Sequence, residues 1–208
     1  MSSLLHSEES FGIVVHGGAG VMSDLSEERQ QEIHKKIRET VSEAYEILEK
    51  GGSSLDAVEL AVSILEDSPL FNAGRGSVYN SDEVQEMDAS IMDGNNRLSG
   101  AVASVTTVKN PIKLARKVAE ETKHVLLMGE GAEKFARDIG VDIVEKDYFY
   151  HEERLKRLRN SKKKISKLNE NFEKIGTVGA VALDKNGNIS AATSTGGMTN
   201  KMPGRVGD

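Results

Sequence analysis

The sequence predicts a layered α/β domain, and three observations carry that prediction. Apolar residues recur every three or four positions in several segments, short β-rich runs lie between those segments, and 208 residues suffice for one compact core. The first strand is Phe11 to Val15 (FGIVV), which runs into His16-Gly17-Gly18-Ala19-Gly20. Three glycines there permit tight turns or a close approach of backbone to a ligand. A helix follows over about Ser26 to Lys50, with Ile33, Ile37, Val41, Ala44 and Leu48 on one stripe. Asp24 or Ser26 can cap it, Glu27 and Glu28 suit its positive end, and Gly51 can stop it. A second helix starts near Ser53 or Ser54, buries Leu55, Val58, Val62 and Leu65, and must end before Pro69. Ala89 to Met92 and Leu98 to Val105, joined by Asp93-Gly94-Asn95-Asn96, read as a hairpin. Asn110-Pro111 places a capping residue before a proline at the first position of a third helix, through Ile112, Ala115 and Ala119. His124 to Met128 reads as another strand, and Gly131 to Gly140 as a short fourth helix.

Composition excludes several classes of function. A net charge of -6 would repel a phosphate backbone, and 4% aromatics without tryptophan cannot build a base-stacking platform. The absence of cysteine removes disulfides, thiolate catalysis and cysteine-ligated zinc. The N-terminus MSSLLHSEESF lacks the basic start and apolar stretch of a secretory signal, and no run of 18 apolar residues occurs. The expectation is a cytoplasmic protein that binds neither nucleic acid nor membrane.

Residues 151–176 differ from the rest. Eight basic side chains fall between Arg154 and Lys167 with few apolar partners, which reads as a solvated linker or a frayed helix. A weak nucleic-acid or membrane contact is the other reading of such a stretch. Immediately after it stands TVGAVALDKNGNISAATST, residues 177–195. Both faces of its first strand are apolar or small, as in a buried strand. Lys185-Asn186-Gly187 suits a three-residue hairpin loop with Gly187 in the left-handed position. If Asp184 then pairs with Asn188, counting outward along both strands sets Thr177 opposite Thr195. Opposed Cβ atoms in such a pair stand about 4.5–5.5 Å apart, so two hydroxyls can share a proton. Facing threonines alone are usually just a β-branched pair. Here Gly176 leaves little cover over the peptide bond before Thr177, and Gly196-Gly197 follow Thr195 with backbone N–H groups that could line a pocket.

The segment GTVGAVALDKNGNISAATSTGGMTNKMPGRVGD resembles the start of the small subunit in the plant-type L-asparaginase and isoaspartyl aminopeptidase family. HGGAG at 16–20, LEDSPLFNAGRGSV at 65–78, EMDASIMDG at 86–94 and VKNPIKLAR at 108–116 match the same family in order. The resemblance implies a four-layer αββα sandwich of the N-terminal-nucleophile hydrolase type. It also implies self-cleavage between Gly176 and Thr177, into a large subunit (1–176, with a linker over about 151–176) and a small one beginning at Thr177. Processed two-subunit units would pair as a homodimer. Thr177 would be the nucleophile, with its new α-amine as base. An amine with an ordinary pKa of about 7.7–8.0 suits that task, because a neutral hydroxyl is a poor nucleophile.

On the same resemblance, Thr195 tunes Thr177, and Asn72 supports processing and the site network. Arg205 grips the substrate α-carboxylate, and Asp208 receives its α-ammonium. A guanidinium can make two parallel charge-assisted bonds to a carboxylate, which lysine cannot copy. His16 holds structure rather than acting as base. No organic cofactor is implied. A structural sodium would take backbone oxygens of Leu65, Glu66, Ser68, Phe71, Ala73 and Arg75, a spot that sequence does not distinguish from a water site. The substrates would be asparagine and β-aspartyl dipeptides. Glycosylasparaginases and threonine proteases are the enzymatic alternatives, and a non-catalytic relative is the alternative outside enzymes. Family members continue past Asp208 with a Thr-Gly pair that serves the oxyanion hole, so the 208 residues are expected to be a poorly stable or inactive precursor fragment, or equally a truncated product or part of a longer sequence.

Overall fold

The computed structural model describes residues 10–19, 25–165 and 176–207. In chain order the elements are β1 (Gly12–His16), α1 (Glu27–Glu49), α2 (Ser54–Glu66), β2 (Met87–Asp93), β3 (Ser99–Val105), α3 (Pro111–Glu121), β4 (Leu126–Met128), α4 (Gly129–Asp138), α5 (Glu152–Ile165), β5 (Val178–Leu183) and β6 (Ile189–Thr195). The strands make one six-stranded sheet in the order β1-β5-β6-β2-β3-β4. All pairings are antiparallel except β3 with β4.

The predicted helix signals operate locally. The Ser26 hydroxyl accepts the Arg29 N–H at 3.3 Å to start α1. Gly51, at φ +84°, lets the chain leave that helix while its N–H still reaches Leu48 O. Ser53 caps α2 through the Asp56 N–H. Pro111 sits in the first turn of α3 as predicted, but Asn110 makes no capping bond. Its amide donates instead to Asp67 Oδ1 at 3.2 Å, tying α3 to the end of α2.

Helices α1 to α3 cover one face of the sheet. Leu48, Val58, Ala61, Val62 and Leu65 pack with Ala180, Ala182, Ala192, Ile91, Val102, Leu114 and Val118 in a continuous buried core. Each fully buried Leu or Val is worth about 1.5–3 kcal/mol. Small residues on the strands bring the helices close: a Cβ on Gly100 would stand 2.6 Å from Ala119 N, so only glycine admits α3 there. The opposite face is apolar and open, with Val14 73% and Val181 50% exposed and Met92 and Ile189 beside them. Of the four layers that the resemblance implies, the described residues hold one helical layer and one sheet.

Of the two readings of the basic segment, linker or frayed helix, the structure has a helix, and one that is docked rather than solvated. Residues Glu152–Ile165 form a helix with Leu158 wholly buried and Arg154 nearly so. Arg159 grips the Glu83 carboxylate through two nitrogens at 3.2 and 2.9 Å, and the Lys162 ammonium donates to Ser81 O at 2.6 Å. Its cations therefore have an acidic, carbonyl-rich loop to dock on. The rest of the linker, 166–175, lies outside the described residues.

Candidate active site

The site grows from the β5–β6 hairpin. Asp184 ties its loop, accepting the N–H groups of Asn186 (2.9 Å) and Asn188 (3.0 Å). It also accepts the Ser54 N–H at 3.1 Å, which seats the hairpin on the N-terminus of α2. Gly187 takes φ +81°, and Asp184 pairs with Asn188 through a 3.0 Å backbone bond. The register continues through Leu183↔Ile189 to Val178↔Ser194, as predicted. Thr177 thus comes opposite Thr195, and its hydroxyl donates to Thr195 Oγ1 at 3.1 Å.

Thr195 is 1% exposed, whereas Thr177 is half-buried. The same Thr195 oxygen accepts the Gly197 N–H at 2.9 Å. Asn72, fully enclosed, holds the chain that follows. Its Nδ2 donates to Gly197 O at 2.7 Å, its carbonyl accepts the Gly196 N–H at 3.1 Å, and its Oδ1 accepts the Val78 N–H at 3.0 Å. The N–H groups of Gly196 and Gly197 are therefore spent inside the protein rather than aimed at a pocket. What glycine supplies at 196 is room, since a Cβ there would stand 2.6 Å from Asn72 Oδ1.

Gly176 meets the glycine turn after β1. A Cβ on Gly176 would stand 2.5 Å from Gly18 C, and one on Gly18, at φ +114°, would stand 2.7 Å from Gly176 O. Two glycines thus let the turn press against the peptide bond that precedes Thr177. The His16 ring packs over Gly179 on the neighbouring strand, so close that a Cβ at 179 would stand 2.5 Å from Nε2. That placement agrees with a structural role for His16.

The Arg205 guanidinium reaches the same end of the hairpin, with Nη1 3.6 Å from where a Cβ on Gly197 would stand. Asp208 lies outside the described residues. In the loop after α2, a Cβ on Gly74 would strike the Glu66 carbonyl, and one on Gly76 would strike that of Phe71. Backbone oxygens of that loop therefore turn inward onto two glycines. Among the described residues no cluster of three or more His, Asp or Glu side chains forms a metal site. Two of the carbonyls named for sodium accept backbone N–H groups within the loop, Leu65 O from Ser68 at 3.2 Å and Ala73 O from Gly76 at 3.1 Å.

Three ionisable side chains at the site were given no role in the sequence, Glu66 having been named only for its backbone oxygen. Glu66 is wholly buried, and burial pushes its carboxyl up to about 8 although it accepts the Ser194 hydroxyl (2.6 Å) and the Ile112 N–H (3.0 Å). Near neutrality it is a neutral acid, with its second carboxyl oxygen enclosed and making no hydrogen bond. Asp88 pairs with Thr195 across β2 and β6. Lys201 is buried beside it, and that burial pushes the ammonium below the usual lysine range against the pull of Asp88 and Glu86. The only signal for Asp88 was its place in the EMDASIMDG segment.

The fold is α/β and of the N-terminal-nucleophile hydrolase type, with the threonine pair at the end of a central hairpin. A comparison at the level of families matches residues 9–208 to the asparaginase family, and the chain belongs to that family. It is similar to the isoaspartyl peptidase/L-asparaginase of Mus musculus, 50% identical over 200 residues that make 96% of this chain and 61% of the relative. The Homo sapiens protein of the same name is 48% identical over 94% of this chain and 63% of its own length. The isoaspartyl peptidase of Escherichia coli (strain K12) is 46% identical over 94% of this chain and 64% of that protein. The chain thus spans a little over three-fifths of the length of these relatives. Among the described residues, no helix is long and apolar enough to cross a membrane.

Proposed function

We propose that the protein hydrolyses the side-chain amide of L-asparagine and the β-aspartyl bond of isoaspartyl dipeptides, using Thr177 after self-cleavage. The observation that carries this reading is the 3.1 Å contact between the Thr177 and Thr195 hydroxyls beside a glycine-packed peptide bond. In maturation, the Thr177 oxygen attacks the Gly176 carbonyl carbon. The C–N bond breaks to leave an ester and a free α-amine, and water splits the ester. In turnover, that amine takes the hydroxyl proton as the oxygen attacks the substrate amide. Ammonia, or the amine of the dipeptide, leaves with a proton. Water then attacks the β-aspartyl ester and restores the hydroxyl.

Thr195 orients the nucleophile, and Asn72 holds the Gly196–Gly197 turn beside it. Arg205 takes the substrate α-carboxylate, and Asp208 takes its α-ammonium. Sodium held by carbonyls of Leu65, Glu66, Ser68, Phe71, Ala73 and Arg75 would stiffen the loop that carries Asn72. Two processed units would pair as a homodimer in the cytoplasm. The names of the Mus musculus and Homo sapiens relatives, which join isoaspartyl peptidase with L-asparaginase, support this substrate class over glycosylated asparagine. The test is to incubate purified protein with asparagine, a β-aspartyl dipeptide and a glycosylated asparagine, following ammonia, amine and intact mass. Preference for the glycosylated substrate would overturn the reading.

A further inference from the structure

Asp88 and Lys201 are buried together beside the partly exposed Glu86, and the proposed reaction assigns this cluster no task. Asp88 stands opposite Thr195 in the sheet, where the β2–β3 register shifts between Met87 and Ala89. Ser104 takes a left-handed φ of +53° there and donates its N–H to Asp88 Oδ1 at 2.8 Å. The other carboxylate oxygen accepts the Gly207 N–H at 2.6 Å and lies 3.8 Å from the Lys201 ammonium. The Lys201 and Asp88 side chains are 1% and 6% exposed. Lys201 Nζ also donates to Glu86 O at 2.9 Å, and the Glu86 carboxylate accepts the Gly204 N–H through both oxygens, at 3.2 and 3.1 Å.

The start of β2 therefore tethers residues 201–207 at both ends and in the middle. Gly207 is wedged into the same place: a Cβ on it would strike Thr195 Cγ2 and stand 3.2 Å from Asp88 Oδ2 and 3.3 Å from Gly197 Cα. A buried ion pair is a poor route to stability, because apolar residues of similar volume usually do as well. Its strength is fixed geometry, and what it fixes here is the segment that contains Arg205.

We propose that Asp88, with Lys201 as its buried counter-charge, is a positioning residue that holds residues 201–207 against Thr195 and so sets the span between the nucleophile and Arg205. This rests on the reading of Thr177 and Arg205 given above. The test compares Asp88→Asn and Lys201→Met with the wild-type protein by amide exchange, by L-aspartate binding and by kinetics on asparagine. Exchange over 202–207 is expected to quicken about tenfold or more while α2 and β5 keep wild-type rates. Cleavage at Gly176 should persist, and KM should rise about tenfold with kcat held within about threefold.

Exchange that quickens equally across the fold, or a loss confined to kcat, would overturn the proposal. If Asp88→Asn does not fold, Gly207→Ala carries the same expectation, since it keeps the ion pair but pushes the segment off Thr195. Wild-type protein that neither matures nor releases ammonia sinks the catalytic reading alone. The tether then stands or falls on local exchange and on L-aspartate affinity, which must drop about tenfold in the variants.

Discussion

At the scale of residues, the chemistry converges on one oxygen. Thr195 Oγ1 accepts both the Thr177 hydroxyl and the Gly197 N–H, so Thr195→Val removes two functions while keeping the shape. The orphaned, buried N–H should cost about 1–3 kcal/mol of stability, read by chemical denaturation, and ammonia release should fall further than that loss explains. Gly176→Ala tests the crossing of the two glycines. Its methyl group would meet the Gly18 and Ala19 backbone, so maturation followed by intact mass should slow or stop while the fold survives. The threonine pair was legible in the sequence because hairpin register is a local matter, set by Gly187 and the Asp184–Asn188 pairing. The contact between Asp88 and Gly207 was not, since 119 residues separate the partners and nothing local specifies that they meet. The N–H groups of Gly196 and Gly197 show the converse limit. The glycines were visible, but not that Asn72 and Thr195 would use their donors.

At the scale of elements, polar clamps decide where helices seat. Glu133 on α4 accepts the Thr106 N–H at 2.7 Å, the Thr106 hydroxyl at 3.0 Å and the Thr107 N–H at 3.1 Å, all at the end of β3. Burial pushes its carboxyl up, but these bonds outweigh burial and hold it below the ordinary value of 4.5. A depressed folded-state value stabilises the protein above the unfolded value, and that stability is lost as pH falls through the folded one. Glu133→Gln should therefore lower the melting temperature at pH 7, with the gap closing as pH falls below the ordinary carboxyl value of 4.5 and through the lower folded-state one. Most helix and strand boundaries were legible because caps, glycine stops and apolar spacing act within a few residues. Helix α5 was read only as a solvated linker or a frayed helix, because its partners Glu83 and Ser81 come from distant chain and its own composition suggested solvent. Strand β4 is shorter than its apolar run, HVLLM, because only Leu126–Met128 pair with β3.

At the scale of the whole molecule, one face of the sheet carries helices and the other carries the site. Periodicity gave the α/β class, but the doubled sheet came only from the resemblance, since no spacing rule tells one sheet from two. Native mass spectrometry of processed protein should show two two-subunit units together, and single units at micromolar concentration would contradict the proposed pairing. The central claim is that Thr177 must become an N-terminus to act. Intact-mass analysis of the incubated protein, beside a Thr177→Ala variant, examines it most directly. The expected result is a split into two pieces after Gly176, ammonia release from asparagine only by split protein, and an unsplit, silent variant. A variant that still divides at that bond and still releases ammonia would contradict the claim.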